Sequence, residues 1–217
     1  MSPRKPAILR DGAGDQTLRE HLIAAAVRLI AERGSPAMTV KDIAREAKVA
    51  DGVLYNHFAD KEELIALALR EHVHGVLAMA GDAPRAGEGT VEGNLHAYVT
   101  RGLKVLTQML PVFAGMVSQH KILGRFAHAG GPGGLGTEEG GLRTVLSNYL
   151  SAEQELGRLS PDAKPEAAAT MIMGACHELI LPRLFHPGPG GMPQVDLPDG
   201  FVDDLVTTVL KGIAPGR

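Results

Sequence analysis

Asp51, Gly52, Val53, Tyr55, Asn56 and His57 make a short polar and aromatic run without a single lysine or arginine, and cations lie around it at Lys41, Arg45, Lys48 and Lys61. An amide, an imidazole, a phenol and a small branched side chain in one turn suit reading base edges. The surrounding cations suit phosphates, which fix register without reading sequence. A second group has a different chemistry. Val76, Met79, Tyr98, Val105, Met109, Phe113, Met116, His120, Met173 and His177 combine adaptable methionines and apolar groups with a few polar ones, as a site for an irregular apolar guest requires. The competing reading is that these ten are ordinary core. Of the nine histidines, His72 and His74 are two apart, and on a helix such side chains diverge by about 200°. No metal site is expected. Cys176 is expected to be a small buried apolar residue rather than a redox sensor. The chain has no GxxxxGK[ST], HExxH or GxSxG, and the glycine run 130–141 follows a helical pattern rather than a strand. Neither catalytic residues nor a cofactor are expected.

These residues must be positioned by helices, because no run of strict apolar and polar alternation reads as a strand. An all-α chain is expected. Residues 1–16, with Arg4, Lys5 and Arg10 among Pro and Gly, read as a mobile basic arm. A first helix begins with the capping-box pattern Thr17-Leu18-Arg19-Glu20 and stops at Gly34. A second opens with Thr39-Val40-Lys41-Asp42 and runs to Ala47; a third covers 51–58; a fourth starts at the cap Asp60-Lys61-Glu62-Glu63 and runs to about Ala80. Further helices are predicted over 91–110, 112–126, 142–156, 165–185 and 201–213, with Pro111 marking a kink or a new start. The glycine-rich 127–141 and the Pro/Gly-rich 187–200 read as loops. With 44% hydrophobic residues in 217, a sizeable core is possible. The formal net charge of −3 shows no global basic signal, so nucleic-acid binding must rest on a local cation cluster. The lone cysteine, the absence of an apolar leader segment and the absence of a span of about 20 apolar residues lead us to expect a cytoplasmic protein, not a membrane one.

Two short helices joined by a turn of about three residues are a helix-turn-helix, whose second helix lies in the DNA major groove. Val40, Ile43, Ala44 and Ala47 would face inward and meet Val49, Leu54 and Phe58. Here the residues match a family. The stretch from Thr39-Val40-Lys41-Asp42-Ile43-Ala44 through Val49-Ala50-Asp51-Gly52-Val53-Leu54-Tyr55-Asn56-His57-Phe58-Ala59-Asp60-Lys61-Glu62-Glu63-Leu64, with the preceding AAAVRLIAERG, closely resembles the DNA-binding domain of TetR (tetracycline repressor) family regulators over about 50 residues. The chain departs from the family at Lys48, where the turn often carries Gly, and at Ala50 and Val53, where Ser and Thr are preferred. The first departure costs of order 1 kcal/mol if the backbone there is left-handed. The others remove a helix cap and a hydroxyl contact. The resemblance implies that Tyr55 and His57 contact phosphates, that Asn56 and Val53 face bases, and that Thr39 and Lys61 at helix starts favour a phosphate oxygen; Lys41, Lys48 and Asp51 complete the expected DNA-binding set.

For the remainder the resemblance implies architecture but no ligand. The expected organisation is an arm over 1–16, a helix-turn-helix domain over 17–62 and a ligand-binding and dimerisation domain over 63–217. Its partners would be double-stranded operator DNA, a small-molecule effector and a second copy of the chain. The helix 165–185 is apolar nearly all round, and a homodimer interface is expected from Ile172 and Leu179 with Val202, Val206 and Val209 of the last helix. The function so implied is a repressor released from a palindromic operator by a small apolar or amphipathic effector. The alternatives are a helical enzyme or a DNA-binding scaffold without an effector.

Overall fold

The computed structural model describes residues 18–128, 141–184 and 197–213, and among them every regular element is a helix. The arm 1–16, the Thr17 cap and most of the 127–141 and 187–200 loops lie outside the described residues. In order the elements are α1 (Leu18–Arg33), α2 (Val40–Ala47), a 3₁₀ helix (Asp51–Asn56), α3 (Lys61–Met79), α4 (Val91–Met116), α5 (His120–His128), α6 (Leu142–Glu155), α7 (Pro165–Ile180), a second 3₁₀ turn (Leu181–Leu184) and α8 (Phe201–Ile213).

Two compact units are present. The first comprises the described parts of Met1–His74 and Val112–Gly131, the second those of Gly75–Pro111 and Pro132–Arg217. Of the two expectations for Pro111, a kink or a new start, the new start is not there: α4 passes through the proline and ends five residues later, at Met116. Proline inside a helix removes one backbone hydrogen bond, here the one that would end on the Thr107 carbonyl, yet nine buried apolar residues from Leu95 to Met116 hold α4 in its packing. The chain turns instead at 117–119, where the amides of Val117 and Gln119 close on Ala114 and Met116 carbonyls.

The first unit has a core of Leu22, Ala25, Ala26 and Ile30 from α1, Ile43, Ala44 and Ala47 from α2, Leu54 and Phe58, and Leu64, Ile65, Ala68 and Leu69 from α3, all buried. The alanines let helix backbones approach closely. Val40 and Val49 are half-buried at its edge. In the second unit α6 packs along α7, and Leu95, Val99, Leu146, Leu150, Ile172, Val206 and Val209 share one core. The rings of Tyr98 and Tyr149 meet in it at 4.8 Å between centroids.

The residues expected at the dimer interface are largely covered within the single chain. Ile172 and Val206 have no exposed surface and Val209 has 4%, while Leu179 and Val202 pack half-buried against the same core. All-round hydrophobicity of α7 therefore reflects intrachain burial on two sides. What α7 leaves open is a stripe of Ala167, Thr170, Met171, Gly174 and Glu178, continued by Leu181.

Candidate nucleic-acid interface

The helix-turn-helix is built by local capping. Thr39, in extended conformation, accepts the Asp42 amide through its hydroxyl oxygen at 3.1 Å, and Asp42 returns the contact by accepting the Thr39 amide at 2.8 Å. These bonds and the nearby Arg33 guanidinium hold the Asp42 carboxyl well below the usual carboxylate range, the Thr39 hydroxyl being the largest cause. At the other end of α2 the Val49 amide donates to the Ala44 carbonyl at 3.0 Å and the Lys48 amide to that of Arg45 at 3.2 Å, closing the helix. Lys48 itself is left-handed, with φ 56° and ψ 42°, and is the one non-glycine with positive φ among the described residues. The turn that often carries Gly thus needs it here too, and Lys48 bears the steric cost.

A buried imidazole secures the same corner. His21 of α1 donates from Nε2 to the Ala47 carbonyl at 3.0 Å. That carbonyl is one of the last in α2 and otherwise lacks an intrahelical donor. His21 was not singled out from sequence, since nothing in the spacing of α1 distinguishes it from an apolar core position.

The segment expected to be an α-helix over 51–58 is a 3₁₀ helix of six residues. Ala50 supplies no side-chain cap at its start, as a Ser or Thr would, and the His57 and Phe58 amides both end on the Leu54 carbonyl. A 3₁₀ helix has three residues per turn, so side chains three apart eclipse. Val53 therefore stands in line with Asn56, and Gly52 with Tyr55. Leu54 is buried and anchors the segment; Asp51, Gly52, Tyr55 and Asn56 are exposed, Tyr55 to 63%. Gly52 has an ordinary backbone, and a Cβ added to it would meet no atom within 4 Å. The fold does not require glycine there.

All nine residues expected to meet DNA fall in the first unit, on α2 and its cap, the turn, the 3₁₀ helix and the start of α3. Thr39, Lys41, Lys48, Asp51, Tyr55 and Asn56 are exposed and Val53, His57 and Lys61 half-exposed; none is buried. The ten candidate ligand residues are not brought into one unit. Phe113, Met116 and His120 belong to the first, where Phe113 meets Phe126 edge-on at 6.2 Å. In the second, Val76, Tyr98, Val105, Met109 and Met173 are buried, and His177 is half-buried, donating from Nδ1 to the Met173 carbonyl at 2.7 Å. Met79 is 65% exposed and His120 stands in solvent, so neither lines an interior. Tyr98 donates its hydroxyl to the Pro84 carbonyl at 3.1 Å. Cys176 is fully buried, and burial pushes its thiol up to about 11, which keeps it protonated near neutral pH. Among the described residues no group of three metal-ligating side chains gathers, and no helix is long and apolar enough to cross a membrane.

The comparisons with known proteins agree with this geometry. Residues 22–68 match the family model of bacterial regulatory proteins, tetR family. The chain is 42% identical over 52 residues to the HTH-type transcriptional regulator HbdR of Aromatoleum sp. (strain CIB), covering 24% of this chain and 23% of that protein. It is 43% identical over 60 residues to the HTH-type transcriptional repressor KstR2 of Rhodococcus jostii (strain RHA1), covering 28% and 29%. The matched part thus spans about a quarter of these relatives. Solved structures share the fold over nearly the whole chain. FadR of Bacillus subtilis, in complex with stearoyl-CoA, superposes with a TM-score of 0.56 at 18% identity, covering 88% of this chain and 97% of that one. The flavonoid-responsive regulator FrrA gives 0.63 at 19% identity, covering 92% and 98%. Residues 22–68 are thus similar to the N-terminal module of the bacterial regulatory proteins of the tetR family, and the chain as a whole shares the all-helical fold of these solved structures.

Proposed function

We propose that this protein is a ligand-responsive transcription regulator, a homodimer that represses by holding a palindromic operator and leaves it when a small apolar or amphipathic effector binds in the second unit. The observation that carries the reading is the helix-turn-helix with Tyr55, Asn56 and Lys48 exposed on it; we read Gly52, beside which the fold leaves open space, as a point of close approach for DNA. Tyr55, His57 and Lys61 hold phosphates, with Thr39, Lys41 and Lys48 beside them; Asp51 sits at the rim. Val53 and Asn56 read bases, Val53 meeting a thymine methyl. Effector binding is supported by the fold shared with FadR, a protein solved with stearoyl-CoA, and by the apolar set Val76, Tyr98, Val105, Met109, Met173 and His177. The open stripe on α7 is the natural seat of the second subunit, because Met171 is 60% and Leu181 42% exposed in a single chain. Two subunits on two half-sites about 34 Å apart multiply a weak single contact.

Selection from a random duplex pool tests the reading. The expected product is a palindrome whose preference changes with Asn56→Ala, while Lys61→Ala weakens all sequences alike and lowers the salt slope by about one. A pool from which the wild-type protein enriches nothing overturns it. Met171→Asp should shift the dimer toward monomer in sedimentation, and stearoyl-CoA should raise the melting temperature and release the selected duplex.

A further inference from the structure

The start of α3 poses an electrostatic difficulty for DNA binding. Asp60, Glu62 and Glu63 surround Lys61 in four residues, so a phosphate approaching Lys61 meets three carboxylates and one ammonium. The structure covers two of the three. Glu63 accepts the Ala59 amide at 2.8 Å and faces the guanidinium of Arg19 at 3.5 Å, and Arg19 also lies 5.0 Å from the centre of the Phe58 ring. Asp60 accepts the Glu63 amide through one oxygen at 2.8 Å, capping α3, and its other oxygen is taken by the Arg125 guanidinium.

Arg125 comes from α5, well beyond the residues that match the family model. It is nonetheless a built part of the first unit. Ile122 and Phe126 on either side of it are buried, and just upstream the Gly115 backbone lies against the loop between α1 and α2. A Cβ on Gly115 would fall 2.7 Å from Ser35 Oγ and 3.0 Å from Pro36 Cδ.

We infer that Arg125 is a positioning residue for DNA binding: its ion pair with Asp60 neutralises that carboxylate and holds it away from the phosphate that Lys61 receives. The inference rests on the regulator reading above. Arg125 acts through Asp60 and not by touching DNA; it removes a repulsion.

Binding of the full-length protein to a mixed-sequence 30-base-pair duplex (length chosen as about three helical turns) tests it across a salt series. Arg125→Gln should weaken binding about five-fold at low salt, with the deficit shrinking as ionic strength rises and screens Asp60. Asp60→Asn keeps a helix-capping oxygen while removing the charge, so it should bind at least as tightly as wild type and should restore the affinity of Arg125→Gln in the double variant. A merely structural role for Arg125 would show as a lower melting temperature that Asp60→Asn does not repair. Wild-type affinity in Arg125→Gln, or a deficit that persists in the double variant, overturns the inference. Failure of the wild-type protein to bind the duplex at any salt overturns the regulator reading itself.

Discussion

In the first unit the polar side chains of α2, the turn and the 3₁₀ helix are exposed around a core of small and branched apolar residues, whereas in the second unit several of the strongest polar groups turn onto the chain itself. Glu153 there has no exposed surface. It accepts the Gly87 amide at 3.3 Å and pairs with Arg158 at 3.3 Å, and Arg158 in turn donates to the Gly89 carbonyl at 2.6 Å. Arg101 donates to Gly81, Lys104 to Met79 and Asn94 to Glu88, so six side chains, counting Tyr98, tie the segment between α3 and α4 to its neighbours. The first unit therefore presents its chemistry outward, and the second uses its chemistry to hold shape. An interface must keep unsatisfied donors ready for a partner, while a buried polar group must already be satisfied.

The sharpest test of this contrast is Glu153→Ala. Removing the buried carboxylate takes an acceptor from the Gly87 amide and a partner from the half-exposed Arg158, and a loss of about 2 kcal/mol is expected in urea unfolding. DNA affinity below the unfolding range should stay unchanged; a loss under about 1 kcal/mol would mean that Glu153 is not the keystone of the segment. Lys48→Gly works in the opposite direction in the first unit. It relieves a left-handed lysine and should add about 1 kcal/mol of stability while weakening all DNA sequences by one phosphate contact, read as a salt slope smaller by about one.

Gly52→Ala separates fold from function more finely. The added methyl meets no atom of the protein, so stability should rise by about 0.5 kcal/mol, yet affinity for a selected operator should fall. Unchanged affinity would remove the argument that an outside surface requires this glycine. The smallest effect is expected at Asp42. Because its folded carboxyl lies below the ordinary aspartate value of 3.8, its contribution is present above that pH and fades as pH falls below it. The melting temperature of Asp42→Asn should thus lie below wild type at neutral pH and converge with it in acid.

Local chemistry was legible in the sequence. The Thr39–Asp42 capping box was read from spacing, and the absent cap at Ala50 and the cost at Lys48 from where the chain departs from the family it resembles; each depends on residues within a few positions of one another. That none of the nine candidates for DNA contact is buried was legible for a similar reason, since the outward positions of two short helices follow from which positions are apolar; their roles came from the resemblance. The 3₁₀ form of 51–56 was not, because six residues carry too little periodicity to distinguish three per turn from 3.6.

What tertiary structure decided is what separated segments do to each other. The sequence shows α7 to be apolar on several faces, but only packing against α6 and the shared core assigns Ile172 and Val206 to the interior and leaves Met171 outside. It shows Pro111 as a kink or a new start, but burial along α4 outweighs the one hydrogen bond that proline removes and the helix continues. His21 on Ala47, Arg125 on Asp60 and Glu153 on Gly87 join residues 26, 65 and 66 positions apart. No periodicity marks such pairs in advance, since a hydrogen bond or ion pair is a property of two side chains at one place, and the fold alone brings them there.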